Sequence, residues 1–203
     1  SARPPLSTLE NGMGVVNFGA DAHCGLATPT NVTQRTVFVV YRWAGAVSGV
    51  EFFCLFGRYG TDTGIRANAS GTMERNISTS KFNTLGYVYQ DGVKKTANFA
   101  ATTQGLSVLT LQKDIEYYKG ESAAYGTVPA SFRAEVGGYN NNNGRRWVGD
   151  IAEAIAFDRL LTEGERQTVE NYLTEKWRGA AAHASVAHEE TLSPLTDLTL
   201  EYG

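Results

Sequence analysis

Glycoside cleavage needs two carboxyl groups flanking the bond, one protonated as the acid and one ionised as nucleophile or base, roughly 5 to 5.5 Å apart for retention. Asp114 and Glu116 are the nearest approach to such a pair, since a two-residue spacing puts both on one face of a strand, with Glu121 just beyond a Lys119-Gly120 turn. A solvated hairpin edge accounts for those charges better. Glu153 is a different kind of carboxylate. Ile151, Glu153, Ile155 and Phe157 alternate, so a regular strand would carry Glu153 into an apolar layer, where an unpaired charge costs several kcal/mol. It must have a partner, from backbone amides or from an arginine such as Arg159 or Arg178, and it reads as a group that fixes packing rather than as a catalytic acid.

Other reactive constellations fail on spacing. Of the three histidines, His183 and His188 lie in a small-residue tract and His23 stands alone. There is no His-Glu-x-x-His, no Gly-x-Ser-x-Gly and no phosphate loop. Asn141, Asn143, Gly144 and Asp150 sit at offsets faintly like an EF-hand loop, but Tyr139 would occupy the first position and the closing glutamate is missing. Cys24 and Cys54 lack zinc spacing. They form one disulfide or remain two buried thiols, and the apolar run Phe52 to Phe56 around Cys54 favours thiols.

Binding chemistry is better represented. Tyr139-Asn140-Asn141-Asn142-Asn143-Gly144-Arg145-Arg146-Trp147 supplies amides that both donate and accept, flanked by rings and guanidinium groups. Sugars present hydroxyls that need two-way hydrogen bonds and C–H faces that stack on rings, so Tyr139, Asn141, Asn143 and Arg146 are the candidate contacts. Arg58, Tyr59 and Asp62 form a second cluster. A plain polar turn explains either loop taken singly, because Asn and Gly are the ordinary occupants of left-handed turn positions. Trp147, opening an inward-alternating strand, reads as core.

These loops need a scaffold, and the chain predicts a β one. It has 203 residues, 22 glycines, 10 tyrosines and 19% charged residues, a balance of turns and half-buried strands. Thr36 to Trp43 and Val50 to Phe56 are apolar on both alternating faces and read as central strands. Asp91-Gly92 between Leu85–Gln90 and Val93–Lys95 is a hairpin turn. Leu106–Leu111, Ile115–Tyr118, Phe132–Tyr139 and Trp147–Phe157 add further strands, and the segment before Pro29 suits a first hairpin. One helix is predicted from Thr162 to Arg178, opened by the capping box Thr162-Glu163-Gly164-Glu165, docked by Val169, Tyr172, Leu173 and Trp177, and stopped by a left-handed Gly179.

The 18 basic and 21 acidic residues leave a formal charge of −3 with no basic stripe, which excludes nucleic acid as a partner. No apolar run reaches the roughly 20 residues a membrane span requires, so no membrane insertion is predicted. A start at Ser1 rather than Met predicts that a leader or preceding domain has been removed. Residues 1–179 read as one sandwich domain, and 180–203 as a linker plus the opening of a further region or an edge strand, Leu198 to Tyr202, that folds back.

The run Gly149-Asp-Ile-Ala-Glu153, then Phe157-Asp-Arg-Leu-Leu-Thr162, then Glu165-Arg-Gln-Thr-Val-Glu-Asn-Tyr-Leu-Thr-Glu-Lys-Trp177 resembles the closing signature of bacterial laminin G-like, concanavalin A-like domains. Asn11-Gly12 to Phe18, Thr36 to Val40 and Tyr87 to Gly92 are similar to earlier strands of that family, so the likeness spans roughly residues 1–179. It implies a jelly-roll of two antiparallel sheets. It is weak for function, because such modules occur in adhesins, sialidases, glycan-degrading enzymes and surface proteins. The glucanase string Glu-x-Asp-x-x-Glu of related enzymes is absent. The expectation is therefore a non-catalytic carbohydrate-binding or adhesion module, secreted or at a bacterial cell surface, with a glycan or cell-surface polysaccharide as partner. A glycoside hydrolase using Asp114 and Glu116 and a structural spacer are the alternatives. No cofactor is predicted; the resemblance leaves room for calcium on a rim loop, where Asp21, Asp62 or the asparagine run would serve as ligands.

Overall fold

Strand-forming runs of β-branched and aromatic residues become fifteen strands among the described residues, followed by one helix. The computed structural model describes residues 5–9, 12–19, 25–49, 52–58, 64–74, 86–113, 131–138 and 145–179. In chain order the strands are β1 (Leu6–Thr8), β2 (Gly14–Phe18), β3 (Leu26–Ala27), β4 (Val32–Thr33), β5 (Thr36–Trp43), β6 (Phe52–Arg58), β7 (Gly64–Asn68) and β8 (Thr72–Glu74). They continue as β9 (Gly86–Gln90), β10 (Val93–Lys95), β11 (Phe99–Ala100), β12 (Ser107–Lys113), β13 (Ser131–Phe132), β14 (Ala134–Val136) and β15 (Gly149–Phe157), and the helix is α1 (Glu163–Arg178).

Two antiparallel sheets result. One has the order β1-β2-β15-β5-β12-β9-β10, the other β11-β8-β7-β6-β14-β3, and β13 and β4 form a separate pair. The double apolar pattern of β5 is explained by its place: Val37, Val39, Tyr41 and Trp43 face the second sheet, while Phe38 and Val40 face the helix. Between the sheets, Phe53, Leu55, Ile65, Ala67 and Met73 complete a core sealed by edge-to-face pairs of Tyr41 with Trp147 and Trp43 with Phe53. Burial pushes the Tyr41 phenol up to about 12. Asp91 and Gly92 both take positive φ, 49° and 75°, as the hairpin turn demands. The predicted strand Phe132–Tyr139 is instead two short ones, β13 and β14, divided at Arg133, whose guanidinium donates to the Thr28 carbonyl at 2.6 Å.

The helix begins as its sequence requires. Thr162 Oγ1 accepts from the Glu165 amide, and the Glu165 carboxylate accepts from the Thr162 amide at 2.9 Å. That carboxylate also receives both arms of Arg159, at 2.7 and 2.8 Å, which hold it down to about 2. A depressed acid contributes stability that is fully present above its unfolded value of about 4.3 and is lost as pH falls through the folded value. A side-chain NMR titration is expected to place the Glu165 midpoint near 2; a midpoint in the ordinary range would show that the cap and its arginine clamp do not form. At the other end Gly179 has positive φ, but its ψ of 161° is extended rather than left-handed helical, and its amide donates to the Glu175 carbonyl at 3.0 Å.

The docked stripe differs from the one read off the apolar residues. Arg166, Glu170, Leu173 and Trp177 are buried, whereas Tyr172 is 52% exposed. At 100° per residue those four positions share one line, and Tyr172 falls about 130° from its centre. Two charged residues occupy the buried line because the sheet beneath offers them partners. The Arg166 guanidinium lies 3.8 Å from the Tyr89 ring centroid and pairs with Glu163 and Glu170, and Thr110 Oγ1 donates to Glu170 at 2.5 Å.

Glu153 has its partner, though neither arginine that the sequence suggested. A bulge between Ile151 and Glu153 shifts the register of β15 on β5, so Ile151 stays opposite Tyr41 in the inter-sheet core and Glu153 turns to the helix side opposite Val40. There it accepts from Trp177 Nε1 at 2.6 Å and Lys176 Nζ at 3.0 Å. Arg159 serves Glu165, and Arg178 pairs with Asp91 at 3.1 Å.

Candidate functional site

The stretch rich in asparagine connects the two sheets. β14 belongs to the six-stranded sheet and β15 to the seven-stranded one, so the chain crosses from one sheet to the other between Val136 and Gly149. Both ends of this crossing are fixed. The Gly137 amide donates to the Leu55 carbonyl and the Trp147 amide to the Gly137 carbonyl, each at 2.9 Å, and the Ala44 amide donates to the Val148 carbonyl at 2.9 Å. Trp147 is fully buried, as its place in the sequence implied. Gly137 has φ of 78° and lies against the Phe18 ring, and a Cβ on Gly138 would meet the Gly25 Cα at 2.7 Å and Glu135 Oε1 at 2.9 Å.

Just past the crossing, a polar row runs over three neighbouring strands. Asp150 is in register with Asn17 of β2 on one side and Arg42 of β5 on the other. Its side chain is 2% exposed, and one oxygen accepts from Asn17 Nδ2 at 2.6 Å while the other accepts from Arg42 Nε at 2.8 Å and from Arg42 Nη2. A carboxylate so engaged orients its neighbours rather than moving protons. The Arg42 side chain is 42% exposed, and two of its N–H groups aimed at Asp150 fix the orientation of its guanidinium. That arrangement suits oxygen-rich acceptors.

The sequence-predicted residues distribute as follows. Arg146 lies in the fixed return of the crossing and is buried at 8% exposure, its Nε included, so the surface contact expected of it from the sequence is not available to it. Arg58 closes β6 and pairs with Ala134, at the end of β14 opposite Gly137. Tyr139, Asn141, Asn143, Tyr59 and Asp62 lie outside the described residues, as do Asp114, Glu116, Glu121, Asp21, Cys24, the strand expected at Ile115–Tyr118, residues 180–203 and all three histidines. Cys54 is buried. Tyr87 and Tyr89 sit on the helix side of the seven-stranded sheet, where Arg166 covers Tyr89 and Lys94 lies 4.0 Å from the Tyr87 ring centroid.

Sequence reading missed Arg42 and Asn17, and met Asp150 only in a rejected loop motif. The available signal was Arg42 itself, the one charged residue in the run Thr36–Trp43. The second sheet carries a comparable pair, Arg66 Nε on Glu74 at 2.9 Å, with Asn68 Nδ2 on the same carboxylate at 3.3 Å, but there Asn68 Oδ1 is engaged in closing the Ser70–Thr72 turn. Among the described residues no group of three or more His, Cys, Asp or Glu gathers where it would hold a metal ion, and no helix is long and apolar enough to cross a membrane. No family model, curated protein or solved structure matches the chain.

Proposed function

We propose that this chain is a non-catalytic carbohydrate-binding or adhesion module of a larger secreted or surface-located bacterial protein, a laminin G-like, concanavalin A-like domain of jelly-roll topology that binds a glycan or cell-surface polysaccharide at its rim. The observation that carries the reading is the rigid frame around the crossing. Gly137 and Trp147 are held by backbone hydrogen bonds, Arg42 is oriented by Asp150 on the neighbouring strand, and the sequence between the two anchors is a run of tyrosine, asparagines and arginines. Tyr139 would offer its ring to a sugar face, Asn141 and Asn143 would exchange hydrogen bonds with hydroxyls, and the half-exposed Arg42 would fix orientation in place of the buried Arg146. Arg58, Tyr59 and Asp62 would form a separate contact for a longer chain of sugars. The engagement of Asp150, Glu153 and Glu170 by arginine, tryptophan, lysine or threonine supports binding over proton transfer at these positions.

A glycan array, run with and without calcium, is expected to return at least one polysaccharide class, and the same preparation is expected to release no reducing sugar from it. Sugar release that Glu116→Gln abolishes would replace this reading with a glycoside hydrolase. An array blank in both conditions would replace it with a structural spacer.

A further inference from the structure

Among the described residues, no second strand pairs with β15 along its half beyond the bulge. The pairing of β2 with β15 covers Gly149, Asp150 and Ile151 and ends there, while Val15 and Gly14 of β2 go on pairing with β1 alone; beyond the bulge, residues 153–157 keep β5 as their one paired strand among the described residues. In an antiparallel strand alternate residues turn both N–H and C=O away from a given neighbour, so this stretch presents a row of unused backbone groups. Ala154 and Ala156, on the side facing away from α1, are exposed. The other sheet ends are blunted: β1 and β10 have three residues each, β3 and β11 have two, and β10 carries Lys94 and Lys95. From Ala154 to Phe157 there is no charge and no proline.

The geometry points to an intramolecular occupant, the segment Leu198-Thr-Leu-Glu-Tyr202, which adds a strand to this edge. Its alternation places Leu198, Leu200 and Tyr202 on one face and Thr199 and Glu201 on the other, the pattern of a half-buried strand. The two alanines leave a shallow shelf on one side of the edge, and large apolar side chains at every second position fill such a shelf. The tether fits as well. α1 ends beside the start of the edge, since Trp177 and Lys176 both hold Glu153, and the residues from Gly179 to Leu198 span up to about 60 Å when extended, several times the roughly 17 Å of the edge.

Amide hydrogen exchange by NMR on the full 203-residue chain, compared with the variant Leu198→Pro/Leu200→Pro, tests the proposal. Alternate amides of residues 153–157 are expected to be protected in the parent and to exchange about tenfold faster or more in the variant, at any protein concentration, while the β5–β12 ladder amides stay unchanged as the internal control. Equal exchange in the two proteins would overturn it. Protection that survives the prolines and grows with concentration would also overturn it, in favour of edge-to-edge pairing with a second copy.

Discussion

Replacing Trp177 with alanine is expected to destabilise the domain by about 3–5 kcal/mol, read from chemical denaturation. The ring packs with Phe38, Val40, Val108 and Leu173 in the layer between α1 and the sheet. The loss has a second part. Trp177 Nε1 is one of two donors that hold the Glu153 carboxylate, and removing it leaves a half-buried charge with Lys176 alone. A loss below about 1 kcal/mol, less than an ordinary large-to-small core change, would mean that the helix is not docked through this residue.

Gly149→Ala is expected to cost a similar amount for a different reason. Gly149 has φ of 141°, which L side chains rarely adopt, and a Cβ there would collide with the Arg42 carbonyl oxygen and approach the Ala44 amide nitrogen at 2.9 Å. Both obstacles are backbone, one in β5 and one just past its end, so neither can move aside as a side chain would. Backbone strain of about 1–3 kcal/mol and overpacking of about 1–3 kcal/mol together predict about 2–6 kcal/mol. Gly164→Ala is the control. It sits in the first turn of α1 with open space around its Cα, and there the same change should be neutral or stabilise by up to about 1 kcal/mol. Equal effects at the two glycines in a thermal or urea melt would contradict the close approach of β15 to β5.

The two predictions also mark where sequence and fold part company. β5 was legible because a run of eight residues that is apolar on both faces but for Thr36 and Arg42 admits one kind of strand. Asp91-Gly92 and the Thr162 capping box were legible because their chemistry is local. The buried places of Arg166 and Glu170 were not, since an apolar periodicity count ignores charged residues and their partners, Tyr89 and Thr110, lie far away in the chain. The bulge at Ala152 was equally hidden. Nothing local in Ile-Ala-Glu-Ala-Ile announces a slip that exists only against β5, yet that slip decides which face Glu153 takes. The site shows the same division. The asparagine run stands out by composition, whereas Arg42 becomes notable only when Asp150 and Asn17 are seen beside it.

The most direct test of glycan binding at the rim is calorimetric titration of the glycan that the array returns into the parent protein and into Tyr139→Ala/Asn143→Ala, each first checked by a melting curve. Loss of a stacking ring and its neighbouring amide is expected to weaken binding tenfold or more, the equivalent of about 1.4 kcal/mol or more, with the melt unchanged. Unchanged affinity in the folded double variant would contradict the account and place the contact surface elsewhere.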